Sequence, residues 1–183
     1  MVGFMSKKIM TKRKPLRGTS ISDAEQFINT FNAFSEAHGI PVPAQVRKEL
    51  AKNIKIKDDG RRLYKLDFRK CKLTDQHVEI LCLTLKEQPL VRKIDLSNNY
   101  LSDRATEDLL EVAQGQLALL HSHEDAISTN LCLLHKLDLK GNPGVAPGGE
   151  RLRQLKEVLV ILHLADVTFD VRTAFLQTGG GHQ

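Results

Sequence analysis

One short pattern occurs three times in this chain and constrains its fold more than any other feature. The three copies read YKLDFRKC, ending at Cys71, RKIDLSNN, ending at Asn99, and HKLDLKGN, ending at Asn142. Each has a Lys, an apolar residue, an Asp and another apolar residue in that order. Repeated units of this kind must each form the same local structure and bury their apolar faces against one another.

The repeated positions of the three copies align at equal offsets, except that Val145 in copy three comes one residue later than Leu73 and Leu101 do. The aligned residues are Leu63, Leu66, Phe68, Cys71 and Leu73 in copy one, Val91, Ile94, Leu96, Asn99 and Leu101 in copy two, and Leu134, Leu137, Leu139, Asn142 and then Val145 in copy three. Copy two begins 91 − 63 = 28 residues after copy one, and copy three 134 − 91 = 43 residues after copy two, which is 28 plus an insertion of 15.

Helical spacing follows the first two copies, in Val78, Leu81 and Leu85 and in Thr106, Leu109 and Ala113. Each unit is therefore predicted to be a strand followed by a helix.

This pattern resembles the leucine-rich repeats of the ribonuclease-inhibitor-like subclass, which read LxxLxLxxN/CxL in the strand and continue into a full helix. The resemblance covers about residues 63 to 169. It implies an α/β fold, a short right-handed solenoid whose parallel strands are backed by helices. It also implies that Asn99 and Asn142 turn inward to satisfy backbone groups. A fourth, degraded copy is expected at Leu159, Leu162, Leu164, Val167 and Phe169.

A helical pair is expected ahead of the repeats, covering the apolar end of the first one. Ser22 and Glu25 have capping-box spacing, Gly39 is expected to end the first helix and Pro43 to open the second. The helical apolar positions are Phe27, Ile28, Phe31 and Phe34. A hairpin around Asp59 and Gly60 is then predicted, with Ile54 and Ile56 pairing onto the first repeat strand.

These patterns divide the chain into a basic arm over 1–18, a helical cap and hairpin over 19–62, repeats over 63–176 and a flexible tail over 177–183. Leu117, Leu119 and Leu120 predict that the helix of copy two runs on by a turn or two, into an insertion at about 114–130. In copy three, "GNPGVAPGGE" delays the helix until Gly149 or Glu150.

The basic excess of the chain lies in its first residues. Of the 27 Lys and Arg residues, six precede the first acidic residue, Asp23, and they are Lys7, Lys8, Lys12, Arg13, Lys14 and Arg17. The remaining 27 − 6 = 21 basic residues nearly balance 22 acidic ones. Three interpretations of this arm stay open: a disordered tail, a mitochondrial targeting segment, or an anchor on an acidic surface such as RNA or a microtubule.

The repeat register also defines a candidate binding surface. Residues two apart on a strand share a face, so the Lys and Asp of each copy are predicted to lie side by side on the concave face of the sheet, with further polar columns beside them. The candidate protein-binding residues are Tyr64, Lys65, Asp67, Arg69, Arg92, Lys93, Asp95, His135, Lys136, Asp138 and Lys140. The alternative is that Asp at this position is a feature of the fold and the surface is simply solvated.

No catalytic residue, metal site or cofactor is expected, since no nucleophile elbow, metal quartet or phosphate loop occurs. His121, His123, Glu124 and Asp125 lie close together in the insertion, but a polar loop accounts for them. The odd number of cysteines and the lack of a long apolar run favour an intracellular protein without a membrane span.

The function expected is therefore a non-enzymatic scaffold or adaptor that binds protein through its concave sheet, insertion or arm. Family resemblance favours a subunit of a large assembly, such as a ciliary or cytoskeletal complex in the cytoplasm. The alternative is a ribonucleoprotein-associated subunit, for example in the mitochondrion, whose arm contacts RNA.

Overall fold

The computed structural model describes residues 21–55, 65–89, 91–122 and 133–178, and there the chain has a mixed α/β fold. Its elements in chain order are α1 (Ile21–Ala37), α2 (Ala44–Lys55), β1 (Lys65–Asp67), α3 (Asp75–Glu87), β2 (Lys93–Asp95), α4 (Asp103–Ser122), β3 (Lys136–Asp138) and α5 (Glu150–Thr178).

The three sequence copies supply the three strands of one parallel sheet, in the order β1-β2-β3. Lys93 of β2 pairs with Lys65 of β1 and with Lys136 of β3, so the copies lie in the register that the alignment predicted, which is confirmed. The central residue of β2, Ile94, is buried and its two neighbours are more exposed, because successive side chains of a strand alternate between faces.

The backbone ladder continues beyond the strands. Copies one and two each donate two more N–H groups to carbonyl oxygens of the next copy: Phe68 N to Asp95 O (2.9 Å), Lys70 N to Ser97 O (3.1 Å), Leu96 N to Asp138 O (2.8 Å) and Asn98 N to Lys140 O (2.8 Å). Short strands are thus extended by a regular connection in which the backbone groups still find partners.

Two buried asparagines tie neighbouring copies together where the chain leaves the sheet. Asn99 Oδ1 accepts hydrogen bonds from Cys71 N at 3.0 Å and Leu73 N at 3.1 Å, and its amide Nδ2 donates to Phe68 O and Leu96 O. Asn142 Oδ1 accepts from Asn99 N and Leu101 N. The inward orientation that the family resemblance implied for these two side chains is confirmed.

The helices cover the inner face of the sheet. The fully buried core residues include Phe27 of α1, Leu50 of α2, Leu81 of α3 and Leu109 of α4. Gly39 follows α1 with a φ of 64°, a left-handed conformation that suits glycine after a helix, and Pro43 immediately precedes α2. Both predictions are confirmed, but α1 begins at Ile21, so the Ser22 cap was misplaced.

The regions around copy three also follow the prediction in part. Helix α4 runs on to Ser122, as the leucines of the insertion predicted. Gln116 on this extension accepts a hydrogen bond from Leu134 N through its Oε1, at 2.8 Å, which fixes the start of copy three. Helix α5 begins at Glu150, as predicted.

Three sequence predictions are wrong. The fourth copy, from Leu159 to Phe169, forms no strand because it lies within α5; its leucines have helical spacing, since Leu155, Leu159 and Leu162 are the buried ones. Ile54 lies in α2 rather than in a hairpin strand. The helix α5 extends to Thr178 and includes two residues assigned to the tail. Ile56 and the Asp59–Gly60 turn lie outside the described residues.

Candidate functional site

The side chains on the face of the sheet that is turned away from the helices form the candidate site. This outer face, as defined here, consists of Lys65, Asp67, Arg69, Lys93, Asp95, Ser97, Lys136, Asp138 and Lys140. The strand pairing places the three lysines in one column and the three aspartates in the next. Neighbouring parallel strands are about 4.8 Å apart, so each column stacks like charges at a fixed short spacing.

The aspartates have a structural role that is the same in all three copies. The Oδ1 atom of each accepts a hydrogen bond from the backbone N–H two residues later, as Asp67 does from Arg69 (3.4 Å), Asp95 from Ser97 (3.1 Å) and Asp138 from Lys140 (3.0 Å). This turn-type bond holds the chain as it leaves the strand. The recurrence of Asp is therefore explained by the fold, whatever the surface binds.

Arg69 connects the first two aspartates. Its guanidinium donates from Nε to Asp67 Oδ1 at 2.8 Å and from Nη2 to Asp67 Oδ2 at 2.7 Å, and the same Nε lies 3.3 Å from Asp95 Oδ2 in the next copy. These hydrogen bonds hold the pKa of the Asp67 carboxyl below its ordinary value. Arg69 thus relieves the repulsion between two carboxylates that the strand register places side by side.

The lysines cannot play the same structural role, because an ammonium group only donates and cannot accept the turn bond. Lys65 Nζ lies 4.0 Å from Asp67 Oδ2, a long contact between exposed groups that contributes about 0–1 kcal/mol. The ammonium groups of Lys136 and Lys140 have no ion-pair partner among the described residues. Including Arg69, the outer face carries five cations against three carboxylates, so it presents a net positive charge.

The flanking columns are less regular than the sequence indicated. Ser97 is buried, and its Oγ donates to Asp95 Oδ1 at 2.7 Å. The ring of His135 packs against His163 of α5, with centroids 4.8 Å apart, so one side of this proposed binding residue is already covered. Arg92 is partly buried. Tyr64 lies outside the described residues.

The other proposed contacts cannot be placed on this surface. All six basic residues of the arm, Lys7 to Arg17, lie outside the described residues, as does most of the insertion from His123 onward. The fourth copy contributes no strand, so Ile161 and His163 lie on α5 and add no position to the charged columns.

Cys71 and Cys82 are free and buried thiols. Burial raises the pKa of the Cys71 thiol to about 11, and burial also raises that of Cys82. Thiols held protonated in this way are poor nucleophiles. Within the described ranges, no three His, Cys, Asp or Glu side chains are grouped closely enough to hold a metal ion.

Two further aspartates link the copies in a way that sequence reasoning missed. Asp75, at the start of α3, accepts a hydrogen bond from Ser102 N at 2.8 Å, and Asp103, at the start of α4, accepts one from Ala146 N at 3.0 Å. The signal was available, because Leu-Thr-Asp and Leu-Ser-Asp recur at the same offset. Within one copy, a Ser or Thr followed by Asp indicates only a helix start, because the backbone N–H that donates to the first-turn carboxylate lies in the next copy.

No family model matches the chain, and neither the curated proteins nor the solved structures contain a match to it. In the part of the chain that the structure describes, none of the helices combines the length and apolar character needed to cross a bilayer.

Proposed function

We propose that this chain is a short leucine-rich-repeat solenoid that acts as a non-enzymatic adaptor, binding another protein through the outer face of its sheet. The lysine column carries the proposal: Lys65, Lys93 and Lys136 stand in register on adjacent strands. Stacking like charges is unfavourable. The aspartates beside them offset part of that cost and accept the turn bond that recurs in each copy, a role that an ammonium group, which only donates, cannot share.

The preferred partner surface is mixed in charge with a net acidic balance. Three fixed carboxylates would select cations opposite them, and five cations would select a larger number of acids. Complementary charges of this kind steer association and fix the register of a complex more than they add affinity. Subunits of large assemblies, including ciliary and cytoskeletal ones, offer such surfaces, and we place the chain in that class.

The test compares two variants with equal loss of charge. In one, Lys65, Lys93 and Lys136 are replaced by Gln; in the matched control, the exposed α2 residues Arg47, Lys48 and Lys52 are replaced by Gln. Proteins captured by the tagged native chain are quantified by mass spectrometry and their affinities then measured with purified components. Loss of a partner in the first variant alone supports the proposal. Equal binding by both variants, with the fold intact, contradicts it.

A second candidate function rests on the basic arm. Six cations before the first acid favour contact with phosphates, and the near-neutral remainder of the chain does not. This function predicts RNA binding that weakens steeply with salt and is lost when residues 1–18 are deleted. The absence of RNA binding at low salt would exclude it.

A further inference from the structure

Within the described residues, the edge of the sheet formed by β3 is open on the side away from β2. Among the residues that the structure describes, the strand order ends at β3, and no further strand pairs with it. Open edges of this kind present unpaired backbone groups that can pair with another extended segment.

Three N–H groups along this edge repeat positions that are paired in the other copies. In copy one, Phe68 and Lys70 donate to carbonyl oxygens of copy two, and Cys71 donates to the side-chain oxygen Asn99 Oδ1. In copy two, Leu96, Asn98 and Asn99 donate to copy three in the same manner. The equivalent N–H groups of copy three belong to Leu139, Gly141 and Asn142, and none of them has an acceptor within the described ranges.

An apolar cavity of about 360 Å³ lies beside these three donors. Leu137, Leu139 and Val145 line it from copy three, and Leu155 and Leu159 line it from α5. The equivalent apolar residues of copies one and two are at most 3% exposed, whereas Leu139 and Val145 are 9% and 8% exposed. A cavity of this size falls within the range of known ligand sites.

The charges at the cavity favour an acidic occupant. Lys140 has the place in copy three that Arg69 has in copy one, where the guanidinium bridges its own Asp67 and the Asp95 of the next copy. Lys140 contacts Asp138 only through its backbone N–H, at 3.0 Å. Its side chain and that of Lys156 are both exposed, and Asp138 is the single carboxylate among the lining residues.

We propose that the β3 edge and this cavity bind an extended acidic peptide of a partner protein as a fourth parallel strand. The pattern of the existing copies defines the peptide: an Asp, an apolar residue directly after it, and an Asn or Asp three residues further on. The carbonyl oxygens of the first Asp and of the residue two positions later accept from Leu139 N and Gly141 N. The last side chain accepts from Asn142 N, and the apolar side chain enters the cavity.

The first carboxylate of this peptide lies opposite Lys140, as Asp95 lies opposite Arg69. This site goes beyond the proposed adaptor function, because it uses the edge of the sheet and does not require the lysine column. Either surface can therefore fail its test without deciding the outcome for the other.

The test uses the full chain and a fluorescein-labelled peptide, EEIDLEGNEL, titrated by fluorescence anisotropy at about 50 mM and about 200 mM salt. Two control peptides separate the contributions of strand direction and of the apolar side chain. The reversed sequence has the same charge but the wrong strand direction. The other control replaces the Leu that directly follows the Asp by Asp, which removes the side chain that enters the cavity. The protein variant is Lys140→Glu with Lys156→Glu. Its matched control is Arg47→Glu with Lys48→Glu on α2, which makes the same change in net charge.

We expect the peptide to bind, the Lys140→Glu, Lys156→Glu variant to bind at least about tenfold more weakly, and the α2 variant to match the native chain. The reversed and Leu-to-Asp peptides should lose a similar factor. No binding at peptide concentrations up to about 1 mM at the lower salt overturns the proposal. Binding that is equally tight for all three peptides and for the Lys140→Glu, Lys156→Glu variant also overturns it. So does self-association of the chain, seen by light scattering, that this variant abolishes, since a second copy would then occupy the edge.

Discussion

The Oδ1 atom of Asn142 lies 3.0 Å from the backbone N of Asn99 and accepts its hydrogen, across 43 positions of the sequence. Asn99 makes the same bond to Cys71 N, one copy earlier. A single residue type thus holds each copy to the one before it. Because both amides are buried, their partners have no water to bond with in their absence.

Replacing Asn99 by Ala is expected to lower the free energy of unfolding by about 3 kcal/mol, because several buried backbone groups lose their partners. The side chain bonds Cys71 N and Leu73 N on one side and Phe68 O and Leu96 O on the other. Urea denaturation followed by circular dichroism measures the change.

The matched control for this substitution is Asn98→Gly, at the adjacent exposed asparagine with a φ of 56°, which glycine adopts easily. It should change the free energy of unfolding by less than about 0.5 kcal/mol. Equal effects of Asn99→Ala and Asn98→Gly would show that the buried amide does not hold the copies together.

Arg69→Gln is expected to raise the pKa of the Asp67 carboxyl toward its ordinary value of 3.8, since the guanidinium hydrogen bonds lower it in the native chain. A lowered pKa in the folded state stabilises the protein above the unfolded pKa, and this stability is lost as the pH falls through the folded pKa. The native chain should therefore exceed Arg69→Gln in stability at about pH 7, by less than about 1 kcal/mol for so exposed a pair, and the difference should vanish near pH 2.

Carbon-13 NMR titration of the Asp67 carboxyl measures this pKa directly, and urea denaturation at both pH values measures the stability. Arg104→Gln serves as the control, because its guanidinium pairs with Glu79 on the helical side, at 3.3 Å, and not with Asp67. An Asp67 pKa that is the same in Arg69→Gln as in the native chain would contradict the assignment.

The periodic part of the fold could be predicted because three copies constrain one another. The strand register and the lysine and aspartate columns follow from aligning Lys65, Lys93 and Lys136, and the family resemblance implied the inward asparagines. The sequence did not decide whether the aspartates serve the fold or bind a partner. The bond that answers this, from the N–H two residues later to Oδ1, depends on local backbone geometry that the sequence does not specify.

The unique parts were harder to predict. The segment from Leu159 to Phe169 matches the strand pattern at every third or second position, but the same leucines also match a helix that is already in progress from Glu150. Short apolar runs fit both periods, and the continuing helix prevails because Leu155, Leu159 and Leu162 are buried and α5 packs against α4. The predicted fourth strand would have covered the edge of β3. Because this segment is helical instead, no strand covers that edge among the described residues.

Gly144→Ala is expected to destabilise the chain by about 2 kcal/mol, through overpacking. A Cβ atom at this position would lie 2.8 Å from the backbone oxygen of Leu101 and 2.9 Å from Ser102 Cα, neither of which can move without disturbing the preceding copy. Gly115, in the middle of α4, has open space around it, so Gly115→Ala should stabilise the chain by up to about 1 kcal/mol through helix propensity.

Both glycine variants are compared with the native chain by thermal and urea denaturation. The two substitutions add the same methyl group, so the sign of the difference reports the packing at each site. A Gly144→Ala variant as stable as the native chain would show that copies two and three can separate slightly at this contact.

Thr106→Val is expected to raise the free energy of unfolding by about 1 kcal/mol, because it removes a buried hydroxyl that has no hydrogen-bond partner in the described part of the chain. Thr106 is 0% exposed and takes the position that Val78 has in copy one, so the site already suits valine. Thr84 is also 0% exposed, but its Oγ1 donates to Ile80 O at 2.8 Å, so Thr84→Val should give no gain. Threonine and valine have similar helix propensities, so the comparison by urea denaturation isolates the hydroxyl. If Thr106→Val proves less stable than Thr84→Val, the Thr106 hydroxyl must have a partner outside the described residues.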